Sequence, residues 1–302
     1  LFEKNALEAI SELEAIQLFK TLIDQLPKNH PLKRYRGNVY YEIPHLRSLF
    51  STMKREGWTS EYITGKIKEY IDSLPDRPEF RYQKKYKQFN AGDLKEGKVK
   101  EEIQRAERLG AAVMEFDRFQ EMMRQKNRYD FDDMINWVIR VFEQHPQVLA
   151  NYQEKFQHIL VDEFQDTSGT QNRIVELLIH YWDNPNVFVV GDDDQSIFRF
   201  QGANIENMLL FAHRYADNLK TIVLTNNYRS TQPILDISKT LIDKNTERLV
   251  TQIGGLTKDL QSSNIRIQHL QHPPEIFVCN SAKEEMIWIT QQIAARIASG
   301  TL

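Results

Sequence analysis

The 302 residues include one cysteine, Cys279, so neither an intrachain disulfide nor a cysteine-based zinc site is available. No apolar run approaches the ~18 residues that a membrane-spanning helix needs. The opening residues, LFEKNALEAI, lack the basic start and apolar core of a signal peptide. Glycine (12) and proline (10) are scarce, which excludes collagen-like and low-complexity chains. A hydrophobic fraction of 41% excludes wholesale disorder. Strong net charge is also lacking: the balance is −3, which argues against coating nucleic acid by charge alone. The charge is uneven, however. Residues 1–130 carry 25 Lys and Arg against 21 Asp and Glu, and residues 131–302 carry 14 against 21. The expectation is a soluble, cytoplasmic chain of about two domains with no membrane partner, whose basic first part leaves room for a local polyanion track. The start at Leu1 rather than Met predicts sequence upstream.

What is present first is helix. Leu13, Ile16, Phe19, Leu22, Ile23 and Leu26 recur at helical spacing within 11–26, and Pro27 and Pro31 end the segment. Shorter helices are predicted over 45–55 and 59–73, and a long one from about Lys98 to Lys126. Between them, RYQKKYKQF at 81–89 interleaves four basic residues with three aromatics; it reads as a solvated helix face or as a nucleic-acid track.

From Asp130 the texture changes. Asp132 is the expected cap of a helix carrying Met134, Trp137, Val138 and Phe142. Apolar runs at 158–161, 187–190 and 221–224 each stop at a polar cluster: Asp162-Glu163, Gly191-Asp192 and Asn226-Asn227. Ser168 with Gln171 spells a capping box for an intervening helix. A further run at 276–279 and an S-x-x-E box at Ser281 repeat the theme. Short buried-type strands alternating with helices predict a parallel sheet with helices on both faces, and ligands in such sheets sit beyond the strands' carboxyl ends.

A strand ending in Asp-Glu suits phosphate chemistry, because one carboxylate anchors Mg²⁺ and its neighbour deprotonates a water. A solvated acidic turn is the alternative. The flanking residues decide between them. DEFQDT at 162–167, GDDDQSIFRFQGA at 191–203 and NYRS at 227–230, in that order, resemble motifs II, III and IV of the superfamily 1 DNA helicases of the UvrD/PcrA/Rep group. Tyr129–Met134 has the texture of the segment leading back into that family's core.

The resemblance implies an α/β fold: a RecA-like (P-loop NTPase) parallel sheet core with a largely helical insertion over 1–115. Residues 116–222 would then belong to a partial first RecA-like domain and 223–302 to the start of a second. It implies ATP and Mg²⁺ as cofactors, single-stranded DNA and its junctions with duplex as substrates, and DNA-repair proteins as partners. Asp162 would be the Mg²⁺ ligand and Glu163 the general base. Gln165 would sense the γ-phosphate or the attacking water, and Gln195 would hydrogen-bond the γ-phosphate and couple hydrolysis to DNA contacts. Tyr228 would stack on adenine, and Arg229 would act as an arginine finger unless it merely pairs with a carboxylate such as Asp236. Phe198, Arg199 and Phe200 would contact DNA, with core packing the alternative for the two phenylalanines.

Two features depart from the family. No G-x-x-x-x-G-K-[ST] occurs: Gly65-Lys66 and Gly97-Lys98 lack both the upstream glycine and the following Ser or Thr. Phe198, Phe200 and Gln201 stand where relatives commonly have Tyr, Trp and a second Arg. The chain is therefore expected to be an internal fragment of a 3′-to-5′ helicase, inactive by itself. The alternatives are the motor region of a RecB- or AddA-like helicase–nuclease subunit and a non-enzymatic DNA- or partner-binding module.

Overall fold

A computed structural model describes residues 7–34, 36–195, 205–246 and 248–300. The chain divides into two compact units, Leu1–Arg214 and Tyr215–Leu302.

The first unit is mostly helical. Helix α1 (Glu12–Gln25) opens on a capping box, with Ser11 accepting from the Glu14 N–H and the Glu14 carboxylate accepting from Ser11 N. It packs on α2 (Ile43–Glu56), whose helix ends at Gly57 in left-handed backbone. Helices α3 (Ser60–Ser73) and α4 (Glu96–Met114) pair beside them. The helix expected over 98–126 is two helices: α4 stops at Met114 and α5 runs Phe116–Gln125. The break at Glu115 swings two aromatics into the core. There Phe119 stacks on Phe19 at 4.2 Å and Phe116 meets Phe50 edge-on at 5.4 Å. Leu22, Ile23, Leu46, Met53 and Val113 complete this buried cluster. The run 81–89 is not a helix; it folds back on itself through antiparallel bridges, Arg81 with Leu94 and Tyr86 with Phe89.

Strand β1 (Glu8–Ala9) pairs in parallel with β2 (Arg128–Tyr129). The cap of α6 (Phe131–Gln144) is Asp130, not Asp132. Asp130 accepts from Asp133 N while Asp133 accepts from Asp130 N, both at 3.0 Å, and Asp132 instead takes a hydrogen bond from Ser51. The reciprocal box needs an acceptor three residues on, which Asp130 has in Asp133 and Asp132 lacks in Ile135.

Helix α7 (Pro146–Lys155) leads to β3 (Ile159–Val161), then α8 (Gly169–Ile179), then β4 (Val187–Val189). The two strands lie parallel, Ile159 opposite Val187 and Val161 opposite Val189. The Ser168–Gln171 capping box forms as spelled. Helices were expected on both faces, but Leu160 and Phe188, opposite each other, are 74% and 57% exposed. That face is largely open, and among the described residues only two-stranded sheets form. Helix α9 (Ile205–Arg214) closes the unit by setting Phe211 edge-on to Phe164 at 5.5 Å.

In the second unit β5 (Asn226–Asn227) pairs in parallel with β6 (Gln261–Ser262), and α10 (Gln232–Ile242), α11 (Leu249–Gln252) and α12 (Ala282–Ala298) follow their loops. The strands expected at 221–224 and 276–279 do not form. A strand exists only where a neighbour meets its N–H and C=O groups. Ile222, Leu224, Ile276 and Val278 instead lie exposed, and the ladder begins at Thr225, whose carbonyl accepts from Gln261 N.

Candidate functional site

Parallel pairing in register carries the two acidic strand ends to the same edge. The ladder continues one step past each strand: Val190 N donates to Val161 O and Phe164 N donates to Val190 O, both at 2.8 Å. Between those bonds Glu163 turns the chain with φ 49° and ψ 46°, in left-handed backbone that a non-glycine side chain adopts at a cost. Phe164 then buries itself and a 3-10 turn spans Phe164–Asp166.

Gln165 ties the edge together. It is 1% exposed; its Nε2 donates to Glu163 Oε2 at 2.7 Å and its Oε1 accepts from Asp192 N at 3.0 Å. One buried amide thus fixes a carboxylate at the end of β3 and the backbone at the end of β4. Gly191 lets it in: a Cβ there would stand 2.7 Å from Gln165 Oε1. Beyond it, Asp192 Oδ2 accepts from Gln195 Nε2 at 2.7 Å, and its Oδ1 accepts from Asp194 N at 3.1 Å. Oxygens of Asp192, Asp193 and Asp194 lie within 4.8 Å of one another.

Asp162 and Glu163 are exposed at this edge. Asp162 Oδ1 accepts from Glu163 N at 2.9 Å and Glu163 Oε2 from Gln165, so each carboxylate keeps a second oxygen for another partner. Hard carboxylate oxygens side by side are the donor chemistry that suits Mg²⁺. Asp162, Glu163, Gln165 and Gln195 are therefore brought together. Phe198, Arg199 and Phe200 lie outside the described residues. Tyr228 and Arg229 belong to the second unit, just past β5. There Asn227 Oδ1 accepts from Arg229 N at 3.0 Å and from Ser230 N at 2.8 Å, and Asn264 Nδ2 donates to Tyr228 O at 2.8 Å. The Tyr228 ring is 64% exposed. Arg229 is exposed and makes no ion pair with Asp236, which accepts from Gln232 instead.

Two supports went unread in the sequence. Lys54 is buried, its Nζ 2.6 Å from Asp130 and 2.9 Å from Asp133, and its carbonyl accepts from Asn136 Nδ2. Burial pushes the Asp130 carboxyl up from its ordinary value, against the pull of Lys54. Next along the helix, Glu56 Oε2 accepts from Gly169 N at 3.0 Å, and the Arg55 carbonyl accepts from the Thr170 hydroxyl at 2.8 Å. The end of α2 therefore braces the N-terminus of α8, whose first residue, Gly169, lies six positions after Glu163. Glu56 Oε1 is buried without a hydrogen-bond partner, and burial raises that carboxyl too. Nothing in local periodicity marks Lys54 or Glu56; both partners lie over seventy residues away. Two recesses of about 440 and 510 Å³ share Asn136 and Arg140 in their walls, and neither is lined by Asp162 or Glu163.

A family model described as the UvrD/REP helicase N-terminal domain matches residues 3–216. The ATP-dependent DNA helicase PcrA of Leuconostoc citreum is 44% identical over 131 residues, covering 43% of this chain and 17% of that protein. Its counterparts in Staphylococcus epidermidis and Staphylococcus aureus are each 45% identical over 130 residues, with the same coverage. The stretch matched is thus under a fifth of the length of these relatives.

Proposed function

The chain belongs to the UvrD/REP helicase family, and from that premise we propose that it is part of an ATP-dependent DNA helicase that couples ATP hydrolysis to 3′-to-5′ travel on single-stranded DNA and to opening of duplex at its junctions, in repair or replication. The observation that carries the reading is the Gln165 bridge. It makes DEFQDT and GDDDQ one surface at the end of a parallel strand pair, where a nucleotide's phosphates would sit.

In this reading the site is half of a RecA-like nucleotide site. Mg²⁺, when bound with ATP, would neutralise phosphate charge and would be held by Asp162. Glu163 accepts a proton from the attacking water, and Gln165 fixes the orientation of its carboxylate. Gln195 hydrogen-bonds the γ-phosphate and links it to the segment carrying Phe198, Arg199 and Phe200, which would contact DNA. Tyr228 offers its exposed ring to adenine. Arg229 supplies a cation to the developing charge; the absence of an Asp236 pair supports that role over a structural one. The segments 1–115, 116–222 and 223–302 would be the insertion, the first core domain and the start of the second.

No G-x-x-x-x-G-K-[ST] lies within these 302 residues. Backbone N–H groups and a lysine for the β-phosphate are therefore lacking here, and turnover is assigned to the complete parent protein. The test is steady-state ATPase with single-stranded DNA. The 302-residue chain is expected to be inactive. In the parent, Glu163→Gln should keep nucleotide binding and cut kcat by ~10²–10⁴-fold, while Asp162→Ala should weaken Mg·ATP binding as well. Turnover by the chain alone that Glu163→Gln abolishes, or equal loss of binding in both variants with kcat unchanged, would refute the assignment.

A further inference from the structure

The basic-aromatic run plays no part in the nucleotide site, yet it is built. Tyr82 N donates to Asp93 O and Gly92 N to Tyr82 O. Farther out, Tyr86 and Phe89 exchange both backbone hydrogen bonds, at 3.0 and 2.9 Å, around the two-residue turn Lys87-Gln88. Lys87 takes φ 53° to make that turn. Three rings stack along the hairpin: Tyr82 on Phe89 at 4.8 Å and 9°, and Tyr82 on Tyr86 at 6.2 Å and 11°. Lys87 Nζ lies 5.5 Å from the Tyr86 ring centroid and Lys95 Nζ 5.6 Å from that of Tyr82. An isolated two-stranded hairpin is marginal in water, and the ring ladder is what holds this one.

The ladder explains the aromatics but not the charge. Lys84, Lys85 and Lys87 are exposed and make no ion pair with any described carboxylate, and no acidic residue occurs from Arg81 to Gly92. Three ammonium groups within four residues repel one another. A hairpin needing only to fold would not concentrate them at its tip. The geometry points to a docking site for a polyanion, and we propose that it takes the phosphate backbone of nucleic acid, independently of sequence, with Lys84, Lys85 and Lys87 each meeting a phosphate. The choice of nucleic acid among polyanions rests on the helicase reading above; the charge and the scaffold do not.

The test is fluorescence-anisotropy binding of the 302-residue chain to a labelled oligo-dT and to a mixed-sequence duplex between 50 and 200 mM salt. Neutralising three phosphate contacts should matter through counterion release, worth a slope of ~0.7 per contact on a single strand and ~0.9 on a duplex. The variant Lys84→Ala/Lys85→Ala/Lys87→Ala should therefore flatten the slope of log affinity against log salt by about 2 on oligo-dT or about 2.7 on duplex. For a slope change of about 2, wild type loses about 16-fold more affinity than the variant over that fourfold salt range. The larger change identifies which form docks. Arginine at all three positions should preserve the slope. A control that removes exposed charge elsewhere, Lys98→Ala/Lys100→Ala/Lys126→Ala, should leave it unchanged. Equal flattening by the control, or an unchanged slope in the hairpin variant, overturns the proposal while leaving the nucleotide-site reading to its own ATPase test. Failure of the wild-type chain to bind either oligonucleotide at 50 mM salt overturns it as well. Lysine-dependent binding to phosphatidylserine vesicles with none to oligonucleotide would overturn it in favour of a membrane surface.

Discussion

Gln165 Nε2 lies 2.7 Å from Glu163 Oε2, and the other end of the same amide holds the N–H of Asp192, twenty-seven residues away. A single buried side chain therefore sets both the aim of one carboxylate and the spacing of two strand ends. Gln165→Ala leaves the Asp192 N–H without that partner's oxygen and frees Glu163. Urea unfolding should show a loss of about 1–3 kcal/mol, the cost of an unsatisfied buried group. Under the proposed role of Glu163 as base in the parent protein, kcat should fall further than KM rises, since the aim of a base matters only in the transition state. An unchanged kcat would remove Gln165 from the positioning role.

Gly191→Ala attacks the same bridge from the other side. The new Cβ would lie 2.7 Å from Gln165 Oε1 and 3.3 Å from both Gln165 N and Met208 Cε. The side-chain oxygen is displaced and its hydrogen bond to Asp192 is lost. Overpacking of this kind costs about 1–3 kcal/mol. In a double-mutant cycle with Gln165→Ala, the two losses should be markedly less than additive, because both remove one contact. Full additivity would mean that Gly191 serves some other purpose.

Lys54→Met should be among the most damaging single changes in the first unit. It strands the Asp130 and Asp133 carboxylates beside a buried apolar side chain, and breaking a buried pair costs about 3–5 kcal/mol. The deficit should depend on pH. Burial already favours the protonated Asp130, so without the lysine the folded state takes up protons that the unfolded state lacks. Denaturant unfolding at pH 5 and pH 7.5 should show a smaller deficit at pH 5. A deficit equal at both would make Lys54 a space-filling side chain.

Glu56 gives the complementary case. Its folded carboxyl is raised by burial, so above the ordinary carboxylate value the folded state binds more protons than the unfolded one, and stability falls as pH rises through that window. Glu56→Gln removes the titration. The stability difference, wild type minus variant, should grow on acidification from pH 7.5 toward pH 5. A flat difference would mean the carboxyl titrates normally.

The first helices were legible because their signals are local. The spacing of Phe19, Leu22, Ile23 and Leu26 fixes a buried face within one segment, and Ser168 with Gln171 fixes a helix start within four residues. The strand ends of β3 and β4 were legible for the same reason. The long-range supports were not: Lys54 meets Asp130, and Glu56 meets Gly169, across distances that no periodicity encodes. Apolar composition also overstated the strands at 221–224 and 276–279, since it measures tolerance for burial and says nothing of a partner edge. The split at Glu115 escaped because helical spacing continues through it; only the packing of Phe116 and Phe119 against Phe50 and Phe19 shows why the axis must turn. The candidate site was read as separate motifs, and its physical unity through Gln165 required the register of two strands.

The left-handed backbone at Glu163 has a consequence for anyone who would engineer this chain. Glycine adopts φ 49° freely, and a side chain there costs roughly 1–2 kcal/mol. Glu163→Gly and Glu163→Ala both discard the carboxylate and its bond to Gln165, so their difference isolates the backbone, and the glycine variant should be the more stable. The most comfortable occupant of position 163 is thus one that does no chemistry. A thermostability screen scored on melting alone would drift toward well-folded proteins without this carboxylate, and residue 163 has to be held fixed for such a screen to keep the acidic pair at the end of β3.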